Sequence, residues 1–311
     1  MKRRDFLEEF LLIGAGISMS KYAKGAKQTK VPKRKLGKTG EKLSMIGFGG
    51  IIVMNETIKT AKERVSAAID RGINYFDVAP TYGNAETRLG PALEPYRKDS
   101  FLACKTMKRD REGARKELEA SLKNLQTDYF DLYQLHALET EDDVKQAFGK
   151  DGAMETFIKA KKEGLVRYLG FSAHSEKAAL MAMERYDFDT TLFPINYVCW
   201  NKGNFGRKVV EEAQRQDMGI LALKSLAYSR IPEGKKVSYE KLWYIPIEDD
   251  TISNLSLRFT LSKGVTAAIP PGEYRFFNPA IDIAANFKGL DKSEKEQLLQ
   301  SQKDAIPLFT A

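Results

Sequence analysis

Eight short apolar runs recur along this chain, at 44–50, 73–79, 100–106, 129–136, 166–173, 190–197, 219–226 and 266–272, and no other feature constrains its fold as strongly. Most are rich in residues that suit strands buried on both faces. Stretches with apolar positions three and four apart lie between them, at 61–71, 111–125, 154–163, 176–186, 207–216 and 252–262, and these read as amphipathic helices. Eight alternating strand–helix units are what a closed parallel barrel needs. A doubly wound open sheet uses fewer strands and a glycine fingerprint after the first. Gly47, Gly49 and Gly50 follow the first run here without GxGxxG spacing, and no acidic ribose partner ends the second strand in the context that fingerprint requires. The expected fold is therefore an α/β (β/α)8 TIM barrel. Ahead of it, 33–36 and 42–44 flank Gly37-Lys38-Thr39-Gly40 as two strands around a turn, an N-terminal β-hairpin expected to close the barrel floor.

With 311 residues, 42% of them hydrophobic, the chain can bury a large single core. Its formal charge of +8 would suggest nucleic acid, but residues 1–42 hold twelve Lys/Arg and four Asp/Glu and account for all of it. The rest of the chain is formally neutral and has no net positive field with which to displace phosphate counterions, so no nucleic-acid partner is expected. Cys104 and Cys199 lack CxxC spacing, which leaves no disulfide framework and no metal site, and both read as buried packing thiols.

Two segments follow: 1–30, and 31–311 as the barrel with a C-terminal helical tail. The first contains Lys2-Arg3-Arg4-Asp5-Phe6-Leu7 and a short apolar stretch through Ile17, and resembles a twin-arginine export signal followed by a basic linker. Export machinery would then be a partner and the destination periplasmic or exported; without a working signal the expected location is cytoplasmic. Glu8 and Glu9 depart from that pattern, and a frayed amphipathic helix is the plainer alternative. The apolar run is far short of the ~20 residues a membrane span needs, so no stable insertion is expected.

In parallel barrels the active site forms at the carboxyl ends of the strands, which makes polar residues ending apolar runs informative. Asp77 ends Asn74-Tyr75-Phe76, Tyr82 follows five residues on, Lys105 ends Phe101-Leu102-Ala103-Cys104, and His136 ends Asp131-Leu132-Tyr133-Gln134-Leu135. Singly they read as a helix cap, a loop tyrosine, a strand-end lysine and a capped core histidine. At the ends of consecutive strands two, three and four they converge on one mouth. A free phenol with a pKa of about 10 donates protons poorly at neutral pH unless its phenolate is stabilised. Lys105 would supply positive charge for that purpose, Asp77 would hold Lys105 in place and protonated, and His136 would offer a hydrogen bond at the same mouth.

The run Phe76-Asp77-Val78-Ala79-Pro80-Thr81-Tyr82-Gly83, continued by Asn84-Ala85-Glu86-Thr87-Arg88-Leu89-Gly90, resembles the aldo-keto reductase family, and the likeness extends over nearly all of 33–290. It implies a catalytic tetrad of Asp77, Tyr82, Lys105 and His136, with hydride from C4 of a nicotinamide and a proton from Tyr82. The implied activity is NAD(P)H-dependent reduction of an aldehyde or ketone, sugar-like among the options, or the reverse. The alternative is a nicotinamide-binding regulatory protein with little turnover.

NADP(H) is expected ahead of NAD(H). The resemblance places cofactor contacts at Gly50 and Ile51, at Asp77, at Ser172 in Gly170-Phe171-Ser172, at Asn196, at Lys224, Ser225 and Leu226, and at Gly272 and Arg275. Ser172 would hold the nicotinamide amide, but Ala173 stands where the family commonly has Asn. Asn196 would replace a Gln. Leu223 stands where many members stack a tyrosine on the nicotinamide, whereas Lys224-Ser225-Leu226 resembles a subgroup in which lysine and backbone meet the pyrophosphate. Arg275 either selects a 2′-phosphate or is a surface residue paired with Glu273, and Asp282 replaces a common Asn near the adenine. His174 reads as structural, or as acting through its neighbours, because no ligand cluster surrounds it. The substrate, a small carbonyl compound, would meet loops carrying Cys199-Trp200-Asn201 and, within 227–250, Tyr228, Trp243 and Tyr244, which serve equally well as ordinary loop anchors.

Overall fold

The computed structural model describes residues 29–234 and 238–311. The export signal expected over 1–30 lies outside the described residues, except for its last two positions.

A short antiparallel pair comes first, β1 (Lys33–Lys35) on β2 (Lys42–Ser44), with Lys33 opposite Ser44. The parallel sheet then runs in chain order through β3 (Phe48–Gly49), β4 (Tyr75–Asp77), β5 (Phe101–Thr106), β6 (Phe130–Leu138), β7 (Val166–Ala173), β8 (Thr190–Pro194), β9 (Gly219–Leu223) and β12 (Ala267–Ala268). A second antiparallel pair, β10 (Ala227–Arg230) and β11 (Tyr244–Pro246), is inserted before β12. The sheet curls, and the segment leading into β3 lies along β12. The Gly47 N–H donates to the Ala268 carbonyl at 3.0 Å, and the Ala268 N–H to that of Met45 at 2.9 Å.

The helices are α1 (Ile58–Asp70), α2 (Ala85–Leu93), α3 (Arg111–Asn124), α4 (Glu141–Phe148), α5 (Ala153–Lys162), α6 (Glu176–Arg185), α7 (Tyr197–Asn201), α8 (Arg207–Arg215), α9 (Asp250–Leu261), α10 (Phe277–Ala285) and α11 (Lys292–Ser301). Six coincide with the periodic stretches to within three residues at either end. The expected strands ran longest where chain direction changes without a change in hydrophobicity. Pro194 ends β8, and Asn196 then caps α7 by accepting from the Cys199 N–H at 2.9 Å. Lys224, with φ +65°, turns the chain out of β9. The α2 helix lacked a clear signal because Gly90 and Pro91 interrupt it.

Two apolar layers result. One lies between the sheet and the helices. The other fills the inside of the curled sheet with Tyr75, Phe101, Leu132, Leu192, Leu221 and Ile269, and Leu36 and Leu43 from the first hairpin join it fully buried. The hairpin is tied to segments that precede strands. Lys38 N–H donates to the Asp217 carbonyl at 2.7 Å, and the Arg34 guanidinium to those of Leu261 and Val265 at 2.7 and 2.8 Å. The opposite ends of the strands are left to the long loops. No described helix is long and apolar enough to cross a membrane.

Candidate active site

Asp77 ends β4, Lys105 sits one residue from the end of β5, and parallel pairing sets Asp77 beside Ala103. Both side chains are almost wholly buried, at 3% and 1% exposure, and the Lys105 ammonium donates to an Asp77 oxygen. It also donates to the Val78 carbonyl at 3.2 Å. The other Asp77 oxygen accepts from the Tyr75 hydroxyl and from Gln134 Nε2, each at 3.2 Å. A carboxylate saturated in this way can hold a buried ammonium with its third proton turned elsewhere. Burial pushes the Lys105 ammonium down, but Asp77 and then Tyr82 outweigh it, so the net shift is upward and the lysine stays charged.

Tyr82 reaches the site from the loop after β4, where its N–H donates to the Ala79 carbonyl at 3.0 Å. Lys105 Nζ lies 5.2 Å from the centre of the Tyr82 ring, and the His136 ring meets that ring edge-on at 5.9 Å and 84°. Lys105 pulls the phenol pKa down, as the charge argument expects. Burial outweighs it, and the net direction is upward. Tyr82 therefore keeps its proton in the free protein.

His136 lies in an irregular part of β6, where pairing with β7 shifts register between Leu135 and Leu138 and Ala137 takes a left-handed φ of +52°. Such strain in a non-glycine residue persists only where its surroundings enforce it. Here the Ala137 N–H donates to Ser172 Oγ at 2.8 Å, while the Arg109 guanidinium donates to the His136 and Ala137 carbonyls at 2.7 and 3.1 Å. Burial first, then the charges of Lys105 and other neighbours, lower the His136 pKa from 6.5 to about 2, so the ring is neutral.

Asp77, Tyr82 and His136 line one cavity of about 220 Å³ with Gly49, Ile51, His174, Leu223, Lys224, Ile269 and Gly272, under a rim made by Lys241, Leu242, Trp243 and Tyr244. Of the expected cofactor contacts, Ile51, Asp77, Lys224 and Gly272 lie on this wall. Gly50 is immediately behind it, where a Cβ would come within 2.7 Å of Val78 Cγ2. Ser225 and Leu226 are buried just beyond Lys224, and Ser225 Oγ has no hydrogen-bond partner among the described residues. The structure uses Ser172 to hold Ala137 and Asn196 to cap α7. Arg275 pairs with Glu248 at 3.4 Å and stacks on Tyr239 and Phe276 beside a separate cavity, while Glu273 accepts from the Lys241 N–H at 3.1 Å. Asp282 pairs with Arg71 at 2.5 Å. Trp200 packs against Phe259 and Lys263 away from the cavity, whereas Trp243 and Tyr244 frame Lys224, each ring centre 5.1 Å from its ammonium.

Sequence reasoning passed over Gln134, Arg109 and Lys241. Gln134 carried a signal, as a polar residue inside an otherwise apolar run. Arg109 and Lys241 sit in loops with no pattern to single them out.

The profile of the Aldo/keto reductase family matches residues 46–241. An uncharacterized oxidoreductase of Bacillus subtilis, YqkF, is 36% identical over 155 residues, which are 45% of this chain and 48% of that protein, so the chain spans about half the length of this relative. L-galactose dehydrogenase of Arabidopsis thaliana is 25% identical over 89% of this chain and 97% of its own. Among solved structures, the holo form of an aldo-keto reductase from Bacillus halodurans superposes with a TM-score of 0.69 at 23% identity, covering 89% of this chain and 98% of that one. A Bombyx mori aldo-keto reductase solved with NADP does so at 0.64 and 19%, covering 90% and 96%. Profile, relatives and fold agree, and the chain belongs to the aldo/keto reductase family.

Proposed function

We propose that this protein reduces a small aldehyde or ketone to an alcohol with a nicotinamide nucleotide, NADP(H) ahead of NAD(H), with Tyr82 as proton donor. The observation that carries this reading is the buried Lys105–Asp77 pair set behind a protonated phenol and a neutral imidazole on one cavity wall.

The cavity suits the cofactor in two respects. Lys224 is a part-buried cation with no carboxylate partner among the described residues, apt for a phosphate. Gly272 presses against Ile51, where a Cβ would fall 2.4 Å from Ile51 Cγ2, and so brings backbone up to the wall. Bound nicotinamide supplies the hydride. The residues of the chain do the rest. His136 Nδ1 is buried without a partner, which favours the ring proton on Nε2 as donor to the substrate oxygen. Tyr82 transfers its proton to that oxygen, and Lys105, held by Asp77, stabilises the phenolate left behind. The bonds between Met45 and Gly47, just ahead of β3, and Ala268 of β12 favour a closed barrel, and buried Leu36 and Leu43 favour a hairpin across its floor.

Oxidation of NADPH and NADH is to be measured against a carbonyl panel for wild type and Tyr82→Phe. A loss of roughly a hundredfold or more in kcat is expected, the size of a general-acid contribution. Equal rates in both proteins would remove Tyr82 from its role, and tight NADPH binding without turnover would favour the regulatory alternative. The relative named L-galactose dehydrogenase and the aromatic rim support a hydroxylated, sugar-like substrate. Export through the 1–30 segment is proposed on its sequence pattern alone, and an intact N-terminus on cytoplasmic protein would overturn it.

A further inference from the structure

The chain has two histidines, and both line the cavity. His136 is accounted for by the reduction; His174 is not. It follows β7 directly, and its N–H donates to the Leu138 carbonyl at 2.9 Å, which fixes its backbone against the strand that carries His136. Its Nδ1 lies 3.5 Å from a Glu139 oxygen. The ring stacks on Phe309 at 5.1 Å and 27°, and Phe309 meets Trp243 edge-on at 6.1 Å. Phe309 is held in place by the tail around it, with the Arg230 guanidinium donating to the Leu308 carbonyl and the Ala311 N–H to that of Gly203, each at 3.0 Å. Three distant parts of the chain thus combine to immobilise one imidazole at the cavity wall.

Packing alone does not call for an imidazole there, since a phenyl ring would stack on Phe309 equally well without a polar edge to desolvate. Burial and then Lys224 lower the His174 pKa, with Glu139 opposing them, so the ring is neutral at physiological pH. Neutral imidazole has one N–H, and Glu139 at Nδ1 draws it to that nitrogen. Nε2, which makes no hydrogen bond among the described residues, is left as an acceptor. A carbonyl has no proton to offer an acceptor; a hydroxyl does. We propose that His174, positioned by Glu139 and Phe309, accepts a hydrogen bond from a hydroxyl on the carbon beside the reacting carbonyl, so that the enzyme selects hydroxy-carbonyl substrates over their deoxy analogues. This inference rests on the carbonyl-reductase reading and specifies the substrate class of that site.

The test compares kcat/KM for glyceraldehyde and propanal, with NADPH, in wild type, His174→Phe, His174→Gln and Glu139→Ala. NADPH affinity is followed separately by protein fluorescence. A site built to bond a hydroxyl discriminates strongly against analogues lacking it, so His174→Phe should cut the preference for glyceraldehyde by about tenfold or more, chiefly through KM. Its rate on propanal and its NADPH affinity should stay within about threefold of wild type. His174→Gln, which retains an acceptor, should recover part of the preference. Glu139 is mostly exposed, so Glu139→Ala tests the same point even if the His174 variants fold poorly, and it should lower the preference by a few-fold. Equal losses on both aldehydes, or an unchanged preference, overturn the proposal while leaving the reductase reading intact. Wild-type protein that binds NADPH and reduces neither aldehyde overturns both.

Discussion

Ser172 Oγ accepts a 2.8 Å hydrogen bond from the N–H of Ala137, and through it β7 holds the kink in β6 from which His136 projects. The serine expected to touch cofactor thus uses an acceptor lone pair on the backbone beside His136 and keeps its O–H free to donate. Ser172→Ala should leave a part-buried N–H unpaired at a residue already in a left-handed conformation, and cost about 1–3 kcal/mol. The kink should relax with it, so that kcat falls by roughly tenfold while NADPH affinity changes little. Denaturant melts and steady-state kinetics on the one variant check both halves. A loss confined to NADPH affinity would return Ser172 to the cofactor.

The low His136 pKa makes a prediction about pH. The folded state holds this group near 2 and the unfolded chain near 6.5, so between those values the unfolded state binds the extra proton. The contribution of His136 to stability is therefore present above about pH 6.5 and declines as pH falls toward 2. Urea midpoints at pH 7 and pH 5 should fall in wild type by more than in His136→Asn. The pH–rate profile should show no limb near 6.5 from this residue, and appearance of one that vanishes in His136→Asn would contradict its neutrality.

Lys224 is a desolvated cation with no carboxylate partner among the described residues, which costs stability. Burial, then the Lys105 charge, lower its pKa to about 8, below the 10.5 of a free lysine, so the unfolded chain binds the extra proton between those values. Stability should rise as pH climbs through that window. Lys224→Met removes an unneutralised cation and keeps the packing against Trp243 and Tyr244. The cofactor-free protein should melt a few degrees higher, and its NADPH affinity should fall about tenfold and lose part of its salt dependence. Thermal melts with and without NADPH read both effects together. A variant that melts lower and binds normally would mark Lys224 as structural.

The alternation of apolar runs and amphipathic stretches determined the eight-stranded parallel sheet and its covering helices, because burial on two faces leaves a local imprint of period and length. The run Phe76–Gly83 and the strand-end positions of Lys105 and His136 likewise disclosed which side chains cluster with Asp77, since parallel strands bring like ends together whatever the loops do. Tertiary structure alone decided the rest. Ser172 and Asn196 carry side chains equally able to meet a ligand or a backbone N–H, and only packing gave them to Ala137 and Cys199. Arg275 joined Glu248 rather than Glu273 because the inserted segment between β10 and α9 brought that carboxylate alongside. The wall made by His174, Trp243 and Phe309 unites residues more than sixty positions apart, each ordinary in its own segment. Hydrogen-bond donors and acceptors are local, but which partner each one meets is set by long-range contacts that sequence periodicity does not encode.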